Sequence, residues 1–393
     1  MFHGLPAGQE DPIIALMLAF RGDTRPGKVD LGVGIYRDSE GATPVMSAVR
    51  KAEQHLAETQ ETKAYTALTG DPAFADALRK LTLGDAASAD RIAFAGTPGG
   101  SGALRQAYEL IARTAPDATV WLPDPSWPNH MAVLDYLQRP TRTYRYAAPE
   151  GELDRDAFFE DLASIPRGDV VLLHGCCHNP TGIDPAPEDW TRIAEILSQT
   201  GAVPLIDLAY QGFGTGLTED AAGLRHLAKT LPEMLLCISC SKTFGLYRDR
   251  AGLLLALAAN DADRTTLQSQ LTLLNRNAFS FPPDHAGRLV STVLADPVLK
   301  AEWEAELTAM RTRIRTLRDT FTAELRRLTN SDRFDRIASQ NGMFSRLPLE
   351  PEAIRALRED HGIYLIGDGR MNVSGLTDET IPRVARAIAE TTV

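Results

Sequence analysis

The chain has 393 residues, of which 44% are hydrophobic and 24% are charged, a composition typical of a globular protein with a substantial core. Its formal net charge of -11 makes nucleic acid and anionic membrane surfaces unfavourable partners. The chain shows no secretory signal and no apolar stretch long enough to span a membrane, and four cysteines are too few for a disulfide framework. We therefore expect a cytoplasmic protein without nucleic-acid or membrane partners.

Hydrophobic patterning predicts a helix over residues 13–21 and a loop over residues 31–36. Strand-like and helix-like segments then alternate through the middle of the chain. The predicted strands are 91–95, 119–122, 169–174, 203–208 and 234–239, and the predicted helices among them are 102–113, 129–137 and 187–198. This alternation is typical of the α/β class, with a mainly parallel sheet that is flanked by helices.

The pattern changes after residue 296. One long amphipathic helix is predicted over residues 299–328, because apolar residues recur there at helical spacing among many charges. The remaining predicted elements are strands at 342–347, 364–366 and 371–373, and helices at 352–361 and 378–391. This tail predicts a second, smaller α+β domain.

A glycine-rich segment, GTPGGSGALR at 96–105, separates a predicted strand from a predicted helix. Glycines let the backbone approach an anion, and the N-terminus of a helix offers free N–H groups. The segment lacks the Lys-Ser/Thr pair of a P-loop, and Arg105 stands where a dinucleotide fingerprint has its third glycine. Both a phosphate site and an ordinary tight turn fit these residues.

A lysine, Lys242, directly follows the predicted strand 234–239 and is flanked by hydroxyl residues. Lysine is seldom placed beside a core. A partly desolvated lysine can lose its proton and attack a carbonyl group, which gives a Schiff base. Arg250 follows in the same segment and could neutralise a phosphate.

A carboxylate, Asp207, ends the predicted strand 203–208 and is followed by Tyr210. Such a carboxylate could pair with a protonated pyridine nitrogen and make the ring an electron sink. It could also cap the following turn. Ligands bind at the carboxyl ends of the strands in open α/β sheets, and Asp207 and Lys242 both occupy such positions.

The four cysteines lie in two short motifs, and for each motif a metal site or a redox-active pair has to be considered. The spacing in HGCCHNPTG at 174–182 fits no standard zinc site, and the C-x-x-C at 237–240 overlaps a predicted buried strand. We therefore predict structural packing for the cysteines and no metal site.

Residues 239–252, SCSKTFGLYRDRAG, resemble the lysine signature of class-I pyridoxal-phosphate-dependent aminotransferases. Five further segments resemble the same family in the same order: TPGGSGALR at 97–105, PSWPNH at 125–130, HNPTG at 178–182, DLAYQGF at 207–213 and GRMNVSGL at 369–376. The resemblance runs from Asp11 to the C-terminus. It is most similar to the aspartate and aromatic amino-acid branch, and within it to bacterial aromatic-amino-acid aminotransferases.

The resemblance implies pyridoxal 5'-phosphate as the cofactor. Lys242 would hold it as a Schiff base and move the 1,3-proton, Asp207 would bind the pyridine nitrogen with His130 behind it, and Tyr210 completes the implied catalytic group. The residues implied to bind the cofactor are Gly99, Gly100, Ser101, Trp127, Asn179, Asp207, Tyr210, Ser239, Lys242, Arg250 and, from a partner subunit, Tyr65.

The resemblance also implies where substrate binds. Arg370 would hold the α-carboxylate as a bidentate fork, and Arg276 of a partner subunit would meet a side-chain carboxylate. The full implied set is Gly34, Trp127, Asn179, Arg276 and Arg370. A homodimer with shared active sites follows. The family's division of the chain would give an N-terminal arm at 1–14, a small domain at 15–43 and 310–393, and a large cofactor-binding domain at 44–309.

The implied reaction is ping-pong transamination between an aromatic or dicarboxylic L-amino acid and a 2-oxo acid such as 2-oxoglutarate. Thr243 stands where Asn is more common, a departure expected to matter little. Phe281 stands where aspartate-specific members tend to carry Asn, which weakens the alternative of a strict aspartate aminotransferase. A lyase or decarboxylase with the same cofactor is less favoured, because Arg370 would retain the carboxylate. A non-catalytic regulatory module is disfavoured by the intact Lys242.

Overall fold

The computed structural model describes residues 2–5, 8 and 11–392. The other residues of the predicted arm, 1, 6, 7, 9 and 10, lie outside the described residues, as does residue 393. The strands are β1 (Val29–Asp30), β2 (Ile92–Pro98), β3 (Val120–Asp124), β4 (Thr141–Arg145), β5 (Val170–His174), β6 (Val203–Leu208), β7 (Met234–Ser239), β8 (Ala251–Leu257), β9 (Phe344–Arg346), β10 (Ile363–Tyr364) and β11 (Arg370–Asn372).

The helices surround these strands in sequence. They are α1 (Pro12–Gly22), α2 (Ser47–Thr59), α3 (Pro72–Thr82), α4 (Gly99–Thr114), α5 (Pro128–Tyr136), α6 (Arg155–Ala163), α7 (Pro187–Thr200), α8 (Ala222–Thr230), α9 (Cys240–Thr243), α10 (Asp261–Ala278), α11 (His285–Ala295), α12 (Pro297–Thr329), α13 (Arg336–Ser339), α14 (Pro351–Glu359) and α15 (Ile381–Thr391). Short 3-10 helices lie at Phe2–Gly4, Ala89–Arg91 and Val373–Gly375. None of the described helices combines the length and the apolar character that a membrane span requires.

One seven-stranded sheet contains the strands from the middle of the chain, in the order β2-β8-β7-β6-β5-β3-β4. All neighbours are parallel except that β8 runs antiparallel to both β2 and β7. The predicted mainly parallel α/β sheet is therefore confirmed. The antiparallel β8 was not predicted, and it is the strand that returns the chain from the segment after Lys242 into the sheet.

The centre of this sheet is a continuous apolar core. Strands β5, β7 and β8 are buried along their whole length, as a strand covered on both faces must be. Helix α4 packs against it with Ala103 and Ala107, whose small side chains allow a close approach, and with Leu104 and Ile111. Each buried leucine side chain contributes about 2 kcal/mol to stability. This packing fixes the sheet edge where β6 and β7 end.

The chain divides into two compact units. The larger comprises Pro44–Thr312 with Gln340–Gly342 and contains the seven-stranded sheet. The smaller comprises Met1–Thr43, Arg313–Ser339 and Met343–Val393. In the smaller unit β1 pairs with β10 in parallel, and β11 pairs with β9 in antiparallel fashion. The functional domains expected from the family stay a prediction.

Candidate active site

Lys242 and Tyr210 lie at the carboxyl ends of two adjacent parallel strands. Strand β7 ends at Ser239 and leads directly into the four-residue helix α9, which contains Lys242. Tyr210 is buried and follows the end of β6. Because β6 and β7 pair in parallel, both segments leave the sheet at the same edge. The Nζ atom of Lys242 lies 4.9 Å from the centroid of the Tyr210 ring.

Asp207 occupies the same edge, near the end of β6, and is 9% exposed. His130 is fully buried, and its Nε2 donates a hydrogen bond to Asp207 Oδ2 at 2.9 Å. Burial by itself raises the pKa of the Asp207 carboxyl. The hydrogen bond from His130 and the charges of His130 and Lys242 lower this pKa by more than burial raises it. The net pKa lies below its usual value, so the carboxylate is ionised at neutral pH.

Two further histidines, His174 and His178, lie next to this pair. His174 ends β5 and pairs with Asp207 in the sheet register. Its ring lies 5.2 Å from that of His130 and 4.1 Å from that of His178. Burial, and then the nearby charge of His130, lower the pKa of His174 to about 3. Sequence reasoning did not include His174 in the site, although its place at the end of a strand beside Asp207 was the available signal.

The glycine-rich segment forms the first turn of α4, where three segments of the chain meet. Gly99 has φ of +73°, and a Cβ there would lie 2.4 Å from Arg250 Nη2. A Cβ on Gly100 would lie 2.8 Å from Ser239 Cβ. Ser101 follows in the same turn and is half-buried. Only glycine fits these two positions, which leaves the N–H groups of the helix start, Ser239 and Arg250 close together.

The guanidinium of Arg250 is held in place by its own segment. Its Nη1 donates to Ser241 Oγ at 3.2 Å and to the Tyr247 carbonyl at 3.1 Å. Arg250 itself has a positive φ of 61°. The cluster therefore combines a positive charge, a hydroxyl and a helix N-terminus, a donor set that suits a phosphate.

Trp127 and Asn179 lie beside the histidines. Trp127 precedes α5, and its ring meets that of His130 edge to face at 5.2 Å. Asn179 is 6% exposed, and its backbone N–H donates to His174 Nδ1 at 3.5 Å. The structure thus brings both predicted residues to the group around Asp207.

Tyr65 and Arg276 do not join this buried group. Tyr65 is 82% exposed and stacks on Phe281 with ring centroids 4.5 Å apart. Arg276 is exposed near the end of α10, and its Nη1 donates to Ser280 Oγ at 2.5 Å. Both are surface residues of the larger unit, whereas Asp207 and Tyr210 are buried.

Arg370 and Gly34 belong to the smaller unit. Arg370 is 4% exposed, its guanidinium carbon lies 4.8 Å from the Phe344 ring centroid, and its Nη2 donates to the Gly32 carbonyl at 3.3 Å. A Cβ on Gly34 would lie 3.0 Å from Phe344 Cζ. The side-chain amide of Asn372 donates to the carbonyl groups of Val33 and Ile35, on either side of Gly34. Within this unit, Arg370 and Gly34 therefore share Phe344 as a neighbour.

All four cysteines are buried thiols. Within the part of the chain that the structure describes, the thiols of Cys176 and Cys177 and the carboxylate of Asp220 are close enough to hold a metal. Hydrogen bonding with Cys177, and then burial, raise the pKa of the Cys176 thiol well above its usual value. The thiol is thus protonated at neutral pH, a state that does not favour metal binding.

Comparison with known proteins agrees with this geometry. The family model of aminotransferase class I and II matches residues 26–388. The aromatic-amino-acid aminotransferase of Paracoccus denitrificans is 50% identical over 391 residues, 99% of each chain. The aspartate aminotransferase of Escherichia coli K12 is 42% identical over 392 residues, again 99% of each chain.

Solved structures give the same result. An aromatic amino acid aminotransferase with 3-indolebutyric acid matches with a TM-score of 0.98 and 50% identity, covering 100% of both chains. That of Burkholderia pseudomallei, covalently bound to pyridoxal phosphate, matches with a TM-score of 0.97 and 36% identity, covering 100% of both chains. The chain therefore belongs to the class I and II aminotransferases, and the resemblance and the aminotransferase activity predicted from the sequence are confirmed.

Proposed function

We propose that the enzyme transfers an amino group between aromatic or dicarboxylic L-amino acids and 2-oxo acids such as 2-oxoglutarate, with pyridoxal phosphate held on Lys242. One observation supports this most directly. Lys242 Nζ lies beside the Tyr210 ring at the edge where Asp207 is kept ionised by His130.

The residues of the larger unit fit this cofactor. The Gly99–Gly100 turn, Ser101, Ser239 and Arg250 would hold a phosphate, because a Cβ on either glycine would fill the space between these segments. The Asp207 carboxylate would hold a proton on the pyridine nitrogen. The Asn179 amide and the Tyr210 hydroxyl would hydrogen-bond the phenolic oxygen, and the Trp127 ring would lie against the face of the cofactor.

When bound, pyridoxal phosphate supplies an electron-withdrawing ring that makes the α-proton of the amino acid removable. Lys242 Nζ would take that proton from the substrate Cα and hold it as an ammonium until it is returned later in the reaction. Arg370 would hold the α-carboxylate of the substrate as a bidentate fork. A carboxylate held in this way does not leave, which favours transamination over decarboxylation.

A homodimer is part of this proposal. An aromatic side chain as exposed as Tyr65 and an exposed arginine at 276 would serve the site of the partner subunit. We place the enzyme in the cytoplasm.

The test of the proposed cofactor site compares the purified wild type with Lys242→Ala. We expect visible absorbance from bound cofactor in the wild type, and amino transfer from aspartate, glutamate, phenylalanine and tyrosine to 2-oxoglutarate. Lys242→Ala should retain cofactor through the phosphate site and lose amino transfer. Wild-type turnover by the alanine variant would contradict the role of Lys242.

The substrate range is tested by Arg276→Leu. Loss of a charge-assisted pair of about 3 kcal/mol should lower kcat/KM for aspartate by roughly a hundred-fold. Activity with phenylalanine should be kept, since an aromatic ring gains nothing from an unpaired guanidinium. Equal losses with both donors would show that Arg276 is structural and would contradict the dual range.

A further inference from the structure

The loop that follows Tyr210 is fastened by one buried carboxylate. Asp220 is 6% exposed, and its two oxygens accept five hydrogen bonds. The donors are the N–H groups of Gly212 (2.8 Å), Gly214 (2.9 Å), Thr215 (2.8 Å) and Gly216 (3.3 Å) and the hydroxyl of Thr215 (3.3 Å). One buried side chain thus accepts from four successive or near-successive backbone N–H groups and holds the backbone of residues 212–216.

The start of this loop is fixed as well. The Phe213 N–H donates to the Tyr210 carbonyl at 2.9 Å. The Gln211 side chain donates to the Leu217 carbonyl at 2.8 Å, and Arg311 Nη1 donates to the Gly212 carbonyl at 3.0 Å. The backbone next to Tyr210 is therefore held from several sides.

The turn that contains Lys242 is held through the following residue, Thr243, which is 4% exposed. The indole N–H of the fully buried Trp303 donates to the Thr243 carbonyl at 2.8 Å, and the Trp303 ring stacks on Phe244 at 4.6 Å. The Thr243 hydroxyl donates to the Gln211 carbonyl at 3.0 Å. One side-chain hydroxyl thus joins the residue after Lys242 to the residue after Tyr210.

We propose that Thr243 is a positioning residue, whose hydrogen bond to Gln211 sets the placement of Lys242 Nζ against the Tyr210 ring. Proton transfer by a lysine depends steeply on its distance and direction, so a fixed backbone on both sides of this pair favours turnover. The presence of Thr at 243, where Asn is more common in the family, was expected to matter little. The hydrogen bond from Thr243 to the Gln211 carbonyl gives this residue a role. The inference rests on the proposed function, because it takes Lys242 and Tyr210 as partners at the cofactor.

The test compares Thr243→Val, which keeps the shape and removes the hydroxyl, with Thr243→Ser, which keeps the hydroxyl. We expect Thr243→Val to lower kcat about ten-fold, from loss of one buried hydrogen bond that the reaction geometry requires, with KM within about two-fold. The midpoint of the pH titration of visible absorbance of the loaded protein should shift by about half a unit. Thr243→Ser should restore kcat to within about two-fold of the wild type.

Thr82→Val is the matched control. Thr82 is fully buried in α3, and its hydroxyl donates to the Leu78 carbonyl at 2.8 Å. This variant also loses one buried hydroxyl, so it reports the cost in stability alone. We expect its thermal midpoint to fall, with kcat and the absorbance midpoint unchanged.

If Thr243→Val matches Thr82→Val in kcat and absorbance midpoint, the inference is overturned. Should Thr243→Val not fold, Thr243→Ala removes the same hydroxyl without adding a methyl group, and the same two outcomes apply. Wild-type protein without cofactor absorbance or amino transfer would contradict the proposed function itself. A normal wild type with an unaffected Thr243→Val would contradict only the role of Thr243.

Discussion

The chemistry of single residues at this site follows from burial. Asp207 is nearly enclosed, yet its pKa is lowered because His130 donates to it. His174 is also enclosed, but the lowering of its pKa by burial and by His130 outweighs the raising by the nearby Asp207 charge, and its pKa falls to about 3. The same degree of burial therefore leaves a charged carboxylate beside a neutral imidazole.

Replacing Asp207 by Asn should lower kcat by roughly a thousand-fold or more, because the amide cannot hold a proton on the pyridine nitrogen. The phosphate site is untouched, so cofactor should still bind. Single-turnover kinetics of the loaded protein measure the effect. Asp261→Asn, which removes an exposed carboxylate, is the control. A rate equal to that of the wild type would rule out Asp207 as the partner of the nitrogen.

The neutral His174 predicts a pH dependence of stability. The unfolded chain takes up a proton on this residue below about pH 6.5, whereas the folded protein does so only near pH 3. Protonation thus favours the unfolded state as the pH falls through this window. Between pH 6.5 and 5 the wild type should lose about 1.6 kcal/mol of unfolding free energy that His174→Asn does not lose.

Urea unfolding at fixed protein and cofactor concentrations measures this difference. His55→Asn, at an exposed position of α2, is the control and should follow the wild type. Parallel pH curves for the wild type and His174→Asn would show that His174 titrates normally.

At the scale of elements, the site depends on where helices and strands begin and end. Helix α4 starts at Gly99, earlier than the predicted start at residue 102, which places the glycines and Ser101 inside its first turn. Strand β8 brings Gly252 against Gly99. A Cβ on Gly252 would lie 2.2 Å from the Gly99 carbonyl carbon. The proposed phosphate site is therefore a junction of α4, α9 and β8.

Gly100→Ala tests this junction. The added Cβ at position 100 would lie 2.8 Å from Ser239 Cβ. Each Cβ is bonded directly to the backbone, so a side-chain rotation cannot relieve this contact. We expect the dissociation constant of the cofactor, measured by equilibrium dialysis, to rise at least about ten-fold, as expected for about 1.4 kcal/mol of strain. Gly22→Ala, where a Cβ meets nothing within 4 Å, should bind as the wild type does. Unchanged affinity in Gly100→Ala would place the phosphate elsewhere.

At the scale of the whole molecule, the proposed function needs two chains. Tyr65 and Arg276 are exposed residues of the larger unit, with the half-buried Phe281 stacked on Tyr65, and the proposal assigns both exposed residues to the site of a partner subunit. This assignment makes complementation between two inactive variants possible.

Mixing Lys242→Ala chains with Arg276→Ala chains should restore aspartate transamination. In a mixed dimer, one of the two sites has its own Lys242 and receives Arg276 from the partner, so each mixed dimer should reach about half the wild-type activity. Activity is assayed after subunit exchange has been verified by mass spectrometry. If complete subunit exchange restores no aspartate transamination, the proposal that the two subunits share their active sites is contradicted.

The sequence by itself determined the class of fold and the residue types at the strand ends. Strands 203–208 and 234–239 were predicted with the bounds that the structure has, because a strand buried on both faces is a continuous apolar run with polar ends. Asp207 and Lys242 could be singled out for the same reason. The apolar run of β8 was not recognised, since a short apolar segment fits a buried strand and a buried helix equally well.

Only the tertiary structure decided which of these residues meet. The bond from Thr243 to Gln211 joins residues 32 positions apart, and that between His130 and Asp207 joins residues 77 positions apart. The close approach of Gly100 to Ser239 joins two different elements. Local patterning reports the face and period of each element. Contacts between elements depend on how side chains of distant segments fill a common volume, and that packing has no signature in any one stretch of sequence.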